Sequence, residues 1–160
     1  MKEARISKKE FNVIAACLAK WTNPILVDVW HLYGGLVFSH AYERAALEIV
    51  DNKVRINVNP KCWKRWSKYK KTFIVAHELL HGIFCHWLIP DDVDREWTNI
   101  AQDIQVNEYI NSHWPALTLG LSKSEELHAT VENVFKNYSG GIPRDKNYPY
   151  YYELMQRCLK

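Results

Sequence analysis

Hydrophobic residues recur along this chain at two spacings, and each spacing occupies its own regions. Helical spacing, with apolar side chains three or four residues apart, predicts helices over 7–21, 61–71, 72–88, 94–111, 122–138 and 150–159. Strand-like runs of β-branched and aliphatic residues lie at 25–30, 36–38, 47–50 and 54–58. Asp51, Asn52 and Lys53 separate the last two runs and predict a hairpin turn. The order of one helix, a small antiparallel sheet and further helices predicts an α+β fold.

Composition limits the architecture and the setting. The chain has 160 residues, 48% of them hydrophobic and 13% aromatic, so we expect one domain with a full core over residues 1–160. No apolar run reaches the roughly 18–20 residues of a membrane span, so we expect no membrane association. The four cysteines lack the spacing of a redox or metal motif: Cys17, Cys62, Cys85 and Cys158. They favour reduced core thiols and a cytoplasmic location, and two disulfides in a secreted protein are the alternative.

The helix predicted over 72–88 carries an H-E-x-x-H motif, His77-Glu78-Leu79-Leu80-His81. Histidines four residues apart on a helix differ by about 40° of rotation, so both imidazoles project from one face. Two such nitrogens suit a tetrahedral Zn²⁺, and the intervening glutamate can act on a water molecule instead of binding the metal. The motif therefore predicts one Zn²⁺ per chain, bound by His77 and His81, with Glu78 as catalytic base. Two core histidines that hydrogen-bond to backbone are the alternative.

A catalytic zinc site needs a third protein ligand, and two residues compete for that position. Asp103 is favoured because it falls inside the buried arc of the 94–111 helix, which is marked by Trp97, Ile100, Ile104 and Ile110. His86 is the other candidate. It follows His77 by nine residues, so it points about 180° away from His77 if the helix continues to residue 88.

Other polar residues of the 94–111 helix complete the predicted site. Glu96 and Glu108 are further candidates for the third ligand. Asn99 and Asn107 lie one turn on either side of Asp103, where we expect them to orient its carboxylate. A buried ion pair or a hydrogen bond between helices is the alternative role for Asp103.

Three segments together resemble the metallopeptidase domain of phages and bacteria that often accompanies a von Willebrand A-like domain: Arg55–Pro60, Phe73–His81 with His86, and Trp97–Asn107. They follow the pattern strand-N-P, A-H-E-x-x-H-x-x-x-x-H and W-N-I-A-x-D-x-x-V-N, except that Thr98 separates the tryptophan from the asparagine. The resemblance implies a zincin-like fold, a zinc ligand from the acidic residue of the second helix, and the host cytoplasm as location if the chain is phage-encoded. It also marks His86 as a recurrent position, and it supplies no substrate.

These observations predict a zinc metallopeptidase that acts on a protein or peptide substrate. Glu78 takes a proton from water as the water attacks a peptide carbonyl, and then gives it to the leaving amine. Strand 55–59 is the expected pairing site for an extended substrate. A non-catalytic zinc-binding domain for protein interaction is one alternative.

Residues 61–71 support a second alternative, a module associated with nucleic acid. This segment contains six basic residues and no acid, interleaved with Trp63, Trp66 and Tyr69. Cations can meet phosphates while aromatic rings stack on bases. An amphipathic helix with its aromatic residues inward is the simpler explanation, so nucleic acid is the less favoured partner.

Overall fold

The computed structural model describes residues 4–125 and 129–159, and helices occupy more than half of them. The helices are α1 (Lys8–Trp21), α2 (Pro24–Tyr33), α3 (Pro60–Arg65), α4 (Lys68–Ile83), α5 (Arg95–His113), α6 (Pro115–Leu119), α7 (Val131–Val134) and α8 (Tyr148–Leu159). The strands are β1 (Ala4–Arg5), β2 (Leu36–Phe38), β3 (Ala45–Val50) and β4 (Lys53–Val58), and Lys123–Glu125 forms a 3₁₀ turn. This architecture confirms the predicted α+β class.

The four strands form one sheet in the order β1-β2-β4-β3. β3 and β4 form the predicted hairpin, in which Val50 pairs with Lys53, and Asp51 and Asn52 both take the left-handed region at φ 51° and 61°. β1 is antiparallel to β2, but β2 is parallel to β4. The sheet is therefore mixed, and the prediction of an antiparallel sheet is wrong for this pair. The chain reverses direction before β3 and again at the hairpin, so β4 regains the direction of β2.

Residues 25–30 form part of α2, so the prediction of a strand there is wrong. The Asn23 side chain caps the helix by accepting a hydrogen bond from the backbone N–H two residues on, at 2.9 Å. Pro24 occupies the first helical position, where its fixed φ and missing N–H are favourable. Leu26 and Trp30, four residues apart, are both fully buried. Capping and burial at helical spacing therefore outweigh the β-propensity of this segment.

The predicted helices 61–71 and 72–88 are divided differently in the structure. α3 ends before Ser67, whose hydroxyl caps the start of α4 with a hydrogen bond of 3.1 Å. α4 ends at Ile83, and Cys85 takes a left-handed φ of 55°, a conformation that stops a helix. The prediction that this helix continues to residue 88 is wrong. The chain is therefore free to turn back after α4.

α4 lies in the larger hydrophobic core, where it packs against α1, α2, α6 and the sheet. Ile83 at its end is exposed, but six apolar residues in its middle are almost wholly buried: Phe73, Ile74, Val75, Ala76, Leu79 and Leu80. A smaller core joins α5 to α8 through side chains that include Ala101, Ile104, Tyr151 and Met155. α4 contacts both β3 and α5, so the H-E-x-x-H helix has the sheet edge on one side and α5 on another.

The helix predicted over 122–138 is not present in the described part of that range. Glu125 accepts from the N–H of Ser122 at 3.1 Å, as a capping box requires, but only a 3₁₀ turn follows the serine. Residues 126–128 lie outside the described residues, and α7 is only four residues long. The Glu125 carboxylate also accepts from the N–H and hydroxyl of Ser67 at 2.9 and 2.8 Å. It therefore ties this loop to the start of α4.

All four cysteines are free thiols, which agrees with the prediction. Cys17 and Cys62 are buried, whereas Cys85 is exposed in the turn after α4 and Cys158 is partly exposed, so only two are core thiols. Within residues 4–125 and 129–159, no helix combines the length and the apolarity that a bilayer crossing requires.

Candidate metal centre

His77 and His81 project from one face of α4, as their four-residue spacing predicts, and that face meets α5. Their Nε2 atoms lie 2.9 Å apart. The Oδ1 atom of Asp103, on α5, lies 3.1 Å from the Nε2 of His77 and 3.0 Å from the Nε2 of His81. Three potential metal-binding atoms from two helices thus form a nearly equilateral triangle, which we call the ligand triangle.

The ligand triangle fits a tetrahedral Zn²⁺. Zinc bonds of about 2.0–2.1 Å to nitrogen and oxygen place tetrahedral ligand atoms about 3.3 Å apart. The three separations here are 2.9, 3.1 and 3.0 Å, slightly shorter than this value. Two imidazole nitrogens and one carboxylate match the donor set of catalytic zinc sites that keep a fourth position open. The His77 and His81 side chains are 12% and 13% exposed and Asp103 is 41% exposed, so solvent reaches the triangle past Asp103.

Charges at the ligand triangle favour a cation. Burial opposes ionisation of Asp103, but hydrogen bonds from His77 and His81 outweigh burial and hold the pKa of Asp103 below its usual value. Burial also opposes protonation of His77, but the hydrogen bond and charge of Asp103, with the charge of Glu78, outweigh burial and raise the pKa of His77. Asp103 is therefore ionised at neutral pH and attracts positive charge, which a proton or a metal ion can supply.

Asn107 fixes the ring of His77. The Asn107 Nδ2 donates to the carbonyl of Ala129 at 2.9 Å, which leaves its Oδ1 facing the Nδ1 of His77 at 2.8 Å. An amide oxygen only accepts, so neutral His77 carries its proton on Nδ1 and directs the Nε2 lone pair into the ligand triangle. The sequence predicts that Asn107 orients the Asp103 carboxylate, whereas the structure places it on His77.

The other predicted residues of α5 lie outside the ligand triangle. Asn99 is exposed and lines a neighbouring cavity, and within the described residues it makes no hydrogen bond to Asp103. Glu96 is exposed in the first turn of α5. Glu108 is only 1% exposed, but it accepts from the first N–H of α7 at 2.8 Å and from Arg144 at 3.3 Å. Glu108 therefore ties α5 to α7 instead of contacting the triangle.

His86 lies beside the ligand triangle and forms a hydrogen bond with one of its members. Because α4 ends at Ile83, the chain turns back and places the Nδ1 of His86 2.8 Å from the Nδ1 of His81. Burial, with the charge of neighbouring His81, lowers the pKa of His86 to about 4, so this ring is neutral at physiological pH. The expectation that His86 points away from His77 is wrong because it assumes an unbroken helix.

Three further contacts of this region are not predicted by the sequence. The His86 Nε2 lies 2.7 Å from the Oε1 of Gln105, and the His86 carbonyl accepts from the Nε2 of Gln102 at 2.8 Å. The Oε1 of Gln105 also accepts from the N–H of Tyr148 at 3.0 Å. The two glutamines could have been predicted to lie near the site, because they flank Asp103 on the same helix. No local pattern could place Tyr148 here, because it begins α8.

Glu78 lies where two cavities meet. One cavity, of about 360 Å³, has an apolar wall on one side and polar residues that include Asn99 and Gln102 on the other. The apolar wall comes from β3 and from the segment after α4, and its members are Ala45, Ala46, Leu47, Trp87 and Ile89. The other, of about 240 Å³, is lined by residues that include Arg44, Lys70, Phe73 and Ile74. Glu78 and Asp103 line both cavities, so the two form one cleft beside the ligand triangle. Glu78 is 6% exposed, and that exposure is in the cleft.

No protein-family model, curated protein or solved structure matches this chain. The resemblance to the phage and bacterial metallopeptidase domain stays a prediction. The ligand triangle and the cleft beside it are the features that indicate a function.

Proposed function

We propose that this chain is a zinc-dependent metallopeptidase with a zincin-like arrangement of active-site helix and sheet edge. The observation that carries the proposal is the position of Glu78. Its carboxylate lies in the cleft immediately beside a ligand triangle whose separations suit Zn²⁺. A purely structural metal site has its four positions closed by protein ligands, whereas this site supplies three and opens to solvent.

Each residue of the site has its own task. His77, His81 and Asp103 would hold the metal. A bound Zn²⁺ supplies Lewis-acid chemistry, because it polarises a carbonyl oxygen and lowers the pKa of water to about 7. Glu78 is placed to accept the proton of the attacking water and to return it to the leaving nitrogen. Asn107 keeps the Nε2 of His77 deprotonated for the metal.

The sheet offers a pairing site for an extended peptide beside Glu78. Strand 55–59, predicted for this role, overlaps β4, which has β2 and β3 on its two sides and no open edge. β3 is an edge strand of the described sheet and lines the cleft. The hairpin closes with the pair of Val50 and Lys53, so alternate residues of β3 direct N–H and C=O groups away from β4: Ala45, Leu47 and Ile49. These groups are available to hydrogen-bond with a substrate backbone.

The two halves of the cleft favour different substrate side chains. The half beside Leu47 and Trp87 has an apolar wall formed by β3 and by the segment after α4. The other half contains the exposed Arg44 and the buried Lys70, whose ammonium donates to the carbonyl of Glu125 at 3.0 Å. A peptide that lies along β3 would therefore place an apolar side chain in the first half and an acidic side chain in the second.

A comparison of wild type with Glu78→Gln tests the proposal. Glutamine keeps the size and the hydrogen bonding of the side chain but cannot accept the proton, so we expect normal zinc content and loss of nearly all hydrolysis of a peptide library. Glu96→Gln, on the exposed first turn of α5, is the matched control and should cleave like wild type.

Two results would contradict the proposal. Glu78→Gln that cleaves at the wild-type rate with zinc intact would remove Glu78 from the chemistry. Wild type that binds zinc but cleaves nothing in a library with acidic and apolar residues would favour the alternative, a zinc-binding domain for protein interaction.

The basic segment gives less support to the nucleic-acid alternative. Trp63 is 3% exposed, and its indole N–H donates to Glu10 at 2.7 Å. Tyr69 stacks on Trp21 with ring centroids 4.4 Å apart. Rings that are held in the core are not free to stack on bases. Several of the cations, including Lys64, lie in water, as an amphipathic helix requires.

A further inference from the structure

His86 is 4% exposed, and its ring lies between a residue of the ligand triangle and an amide of α5. Its Nδ1 lies 2.8 Å from the Nδ1 of His81, and its Nε2 lies 2.7 Å from the Oε1 of Gln105. Two ring nitrogens that lie 2.8 Å apart and do not share a metal ion are joined by one hydrogen, which one ring donates to the other. Which ring carries that hydrogen decides which nitrogen of His81 can bind a metal.

Gln105 determines which nitrogen of His86 carries a hydrogen, because the orientation of the Gln105 side-chain amide is fixed. The backbone N–H of Tyr148 donates to the Gln105 Oε1 at 3.0 Å, and the Gln105 Nε2 faces the Oδ1 of Asn147 at 3.4 Å. The group that faces His86 is therefore the amide oxygen, which only accepts. The Nε2 of His86 must be a donor and carries a hydrogen.

The positions of the other ring hydrogens follow from the chemistry of a neutral imidazole, which has one N–H and one lone pair. With its hydrogen on Nε2, His86 accepts at Nδ1, so His81 must donate from its own Nδ1. The Nε2 of the neutral His81 ring is then left with its lone pair inside the ligand triangle, whereas its hydrogen bond to the Oδ1 of Asp103, at 3.0 Å, belongs to the cationic form of the ring. The hydrogen bonds of α5 and α8 thus determine the tautomer of a histidine on α4.

We propose that His86 is a positioning residue and not a zinc ligand: together with Gln105 it holds His81 in the tautomer whose Nε2 binds the metal. The inference rests on the proposed metal site. Both histidines of the triangle then have the same kind of support. Asn107 acts on His77 directly, and Gln105 acts on His81 through His86.

The backbone around His86 supports this role. The His86 N–H donates to the carbonyl of His81 at 3.0 Å, and the His86 carbonyl accepts from Gln102 at 2.8 Å. The Tyr148 ring packs edge-on against the imidazole, with centroids 5.3 Å apart. The ring is therefore held on several sides in one orientation. This orientation maintains the chain of hydrogen bonds from Gln105 through His86 to His81, which we call the relay.

Zinc affinity of the full chain, measured by competition with a chelator, tests the proposal without any assay of hydrolysis. His86→Phe keeps an aromatic ring but offers no acceptor to His81, and we expect its affinity to fall about 10–100-fold, with one zinc still bound at saturation. His86→Asn can present an amide oxygen near the position of Nδ1 and should recover most of that loss. His81→Ala and Asp103→Ala, which remove ligands, should lose far more.

A second variant separates the relay from a general effect on packing. Gln105→Met removes the acceptor for His86 at similar side-chain length and should lower zinc affinity by itself. In the double variant with His86→Phe, Gln105→Met should cause no further loss of zinc affinity, because both substitutions interrupt the same chain of hydrogen bonds. In nitrogen-15 spectra of the zinc-bound wild type, His81 should show its hydrogen on Nδ1.

The outcomes are distinct from those of the proposed function. Wild type without zinc would contradict the metallopeptidase proposal together with this inference. Wild type that binds zinc while His86→Phe keeps wild-type affinity would overturn this inference alone. His86→Phe that loses zinc as completely as His81→Ala would show that His86 is a ligand. Additive losses in the double variant would overturn the relay.

Discussion

Replacement of Asn107 by alanine should weaken zinc binding without touching a metal ligand. Asn107 is 5% exposed and joins two groups, the Nδ1 of His77 at 2.8 Å and the carbonyl of Ala129 at 2.9 Å. Alanine removes both hydrogen bonds, so the His77 ring is free to rotate and to place its hydrogen on Nε2. Loss of such a partner lowers metal affinity about 10–100-fold, which corresponds to about 1.4–2.7 kcal/mol.

The same substitution should also destabilise the zinc-free chain. The partner groups of Asn107 are partly buried, and a donor or acceptor left unsatisfied by such a change costs about 1–3 kcal/mol. Chelator competition measures the loss of zinc affinity, and urea unfolding of the metal-free protein measures the loss of folding stability. The two measurements separate a weakened site from a weakened fold.

Asn99→Ala is the matched control, because Asn99 is the same residue type on the same helix but is exposed. We expect its zinc affinity and its unfolding midpoint to stay close to those of wild type. Wild-type zinc affinity in Asn107→Ala would refute the role assigned to its amide. Equal losses in both variants would show that any change on this part of α5 disturbs the site.

Two further predictions concern the basic half of the cleft. Burial, and then the charge of Arg44, lower the pKa of Lys70 from 10.5 to about 8, so the folded chain binds this proton less tightly than the unfolded chain. Stability should therefore rise as pH increases from about 8 to about 10.5, by up to about 3 kcal/mol, and urea unfolding of Lys70→Met should lack that rise. An equal rise of stability with pH in Lys70→Met would show that other groups cause the rise. Arg44→Glu should raise KM for peptides with an acidic residue next to the scissile bond while KM for matched neutral peptides changes little; equal changes for both would contradict the acidic preference.

The ligand triangle could be predicted because it depends on local periodicity. Within an α-helix, a separation of four residues fixes the relative direction of His77 and His81 almost independently of the rest of the chain. The buried arc of α5 likewise determines that Asp103 faces inward. The sequence could not supply the approach of the two helices, which depends on packing among α4, α5 and α8.

The role of His86 could not be predicted because it depends on where α4 ends. The apolar pattern continues to residue 88, but Cys85 takes a left-handed conformation and the chain leaves the helix. No glycine or proline marks this end at residue 85. The His86 ring donates to Gln105 and the His86 carbonyl accepts from Gln102, and these tertiary contacts with α5 stabilise the turn.

The two errors in the sheet region have different causes. Residues 25–30 have strand-like composition, but the cap from Asn23 and the burial of Leu26 and Trp30 at helical spacing stabilise a helix. The prediction of the hairpin was correct because turn chemistry at Asp51 and Asn52 is local. The parallel pairing of β2 with β4 is non-local and has no signal in either strand.

Measurement of metal content by mass spectrometry decides whether His77, His81 and Asp103 together bind one zinc ion. The chain, purified and then dialysed against trace zinc, should carry about one Zn²⁺ per molecule, because its three ligand atoms have tetrahedral spacing. His77→Ala, His81→Ala and Asp103→Ala should each lose the ion, whereas His113→Ala, which removes an exposed histidine of α5, should retain it. Full zinc content in any of the first three variants would contradict the proposed metal site.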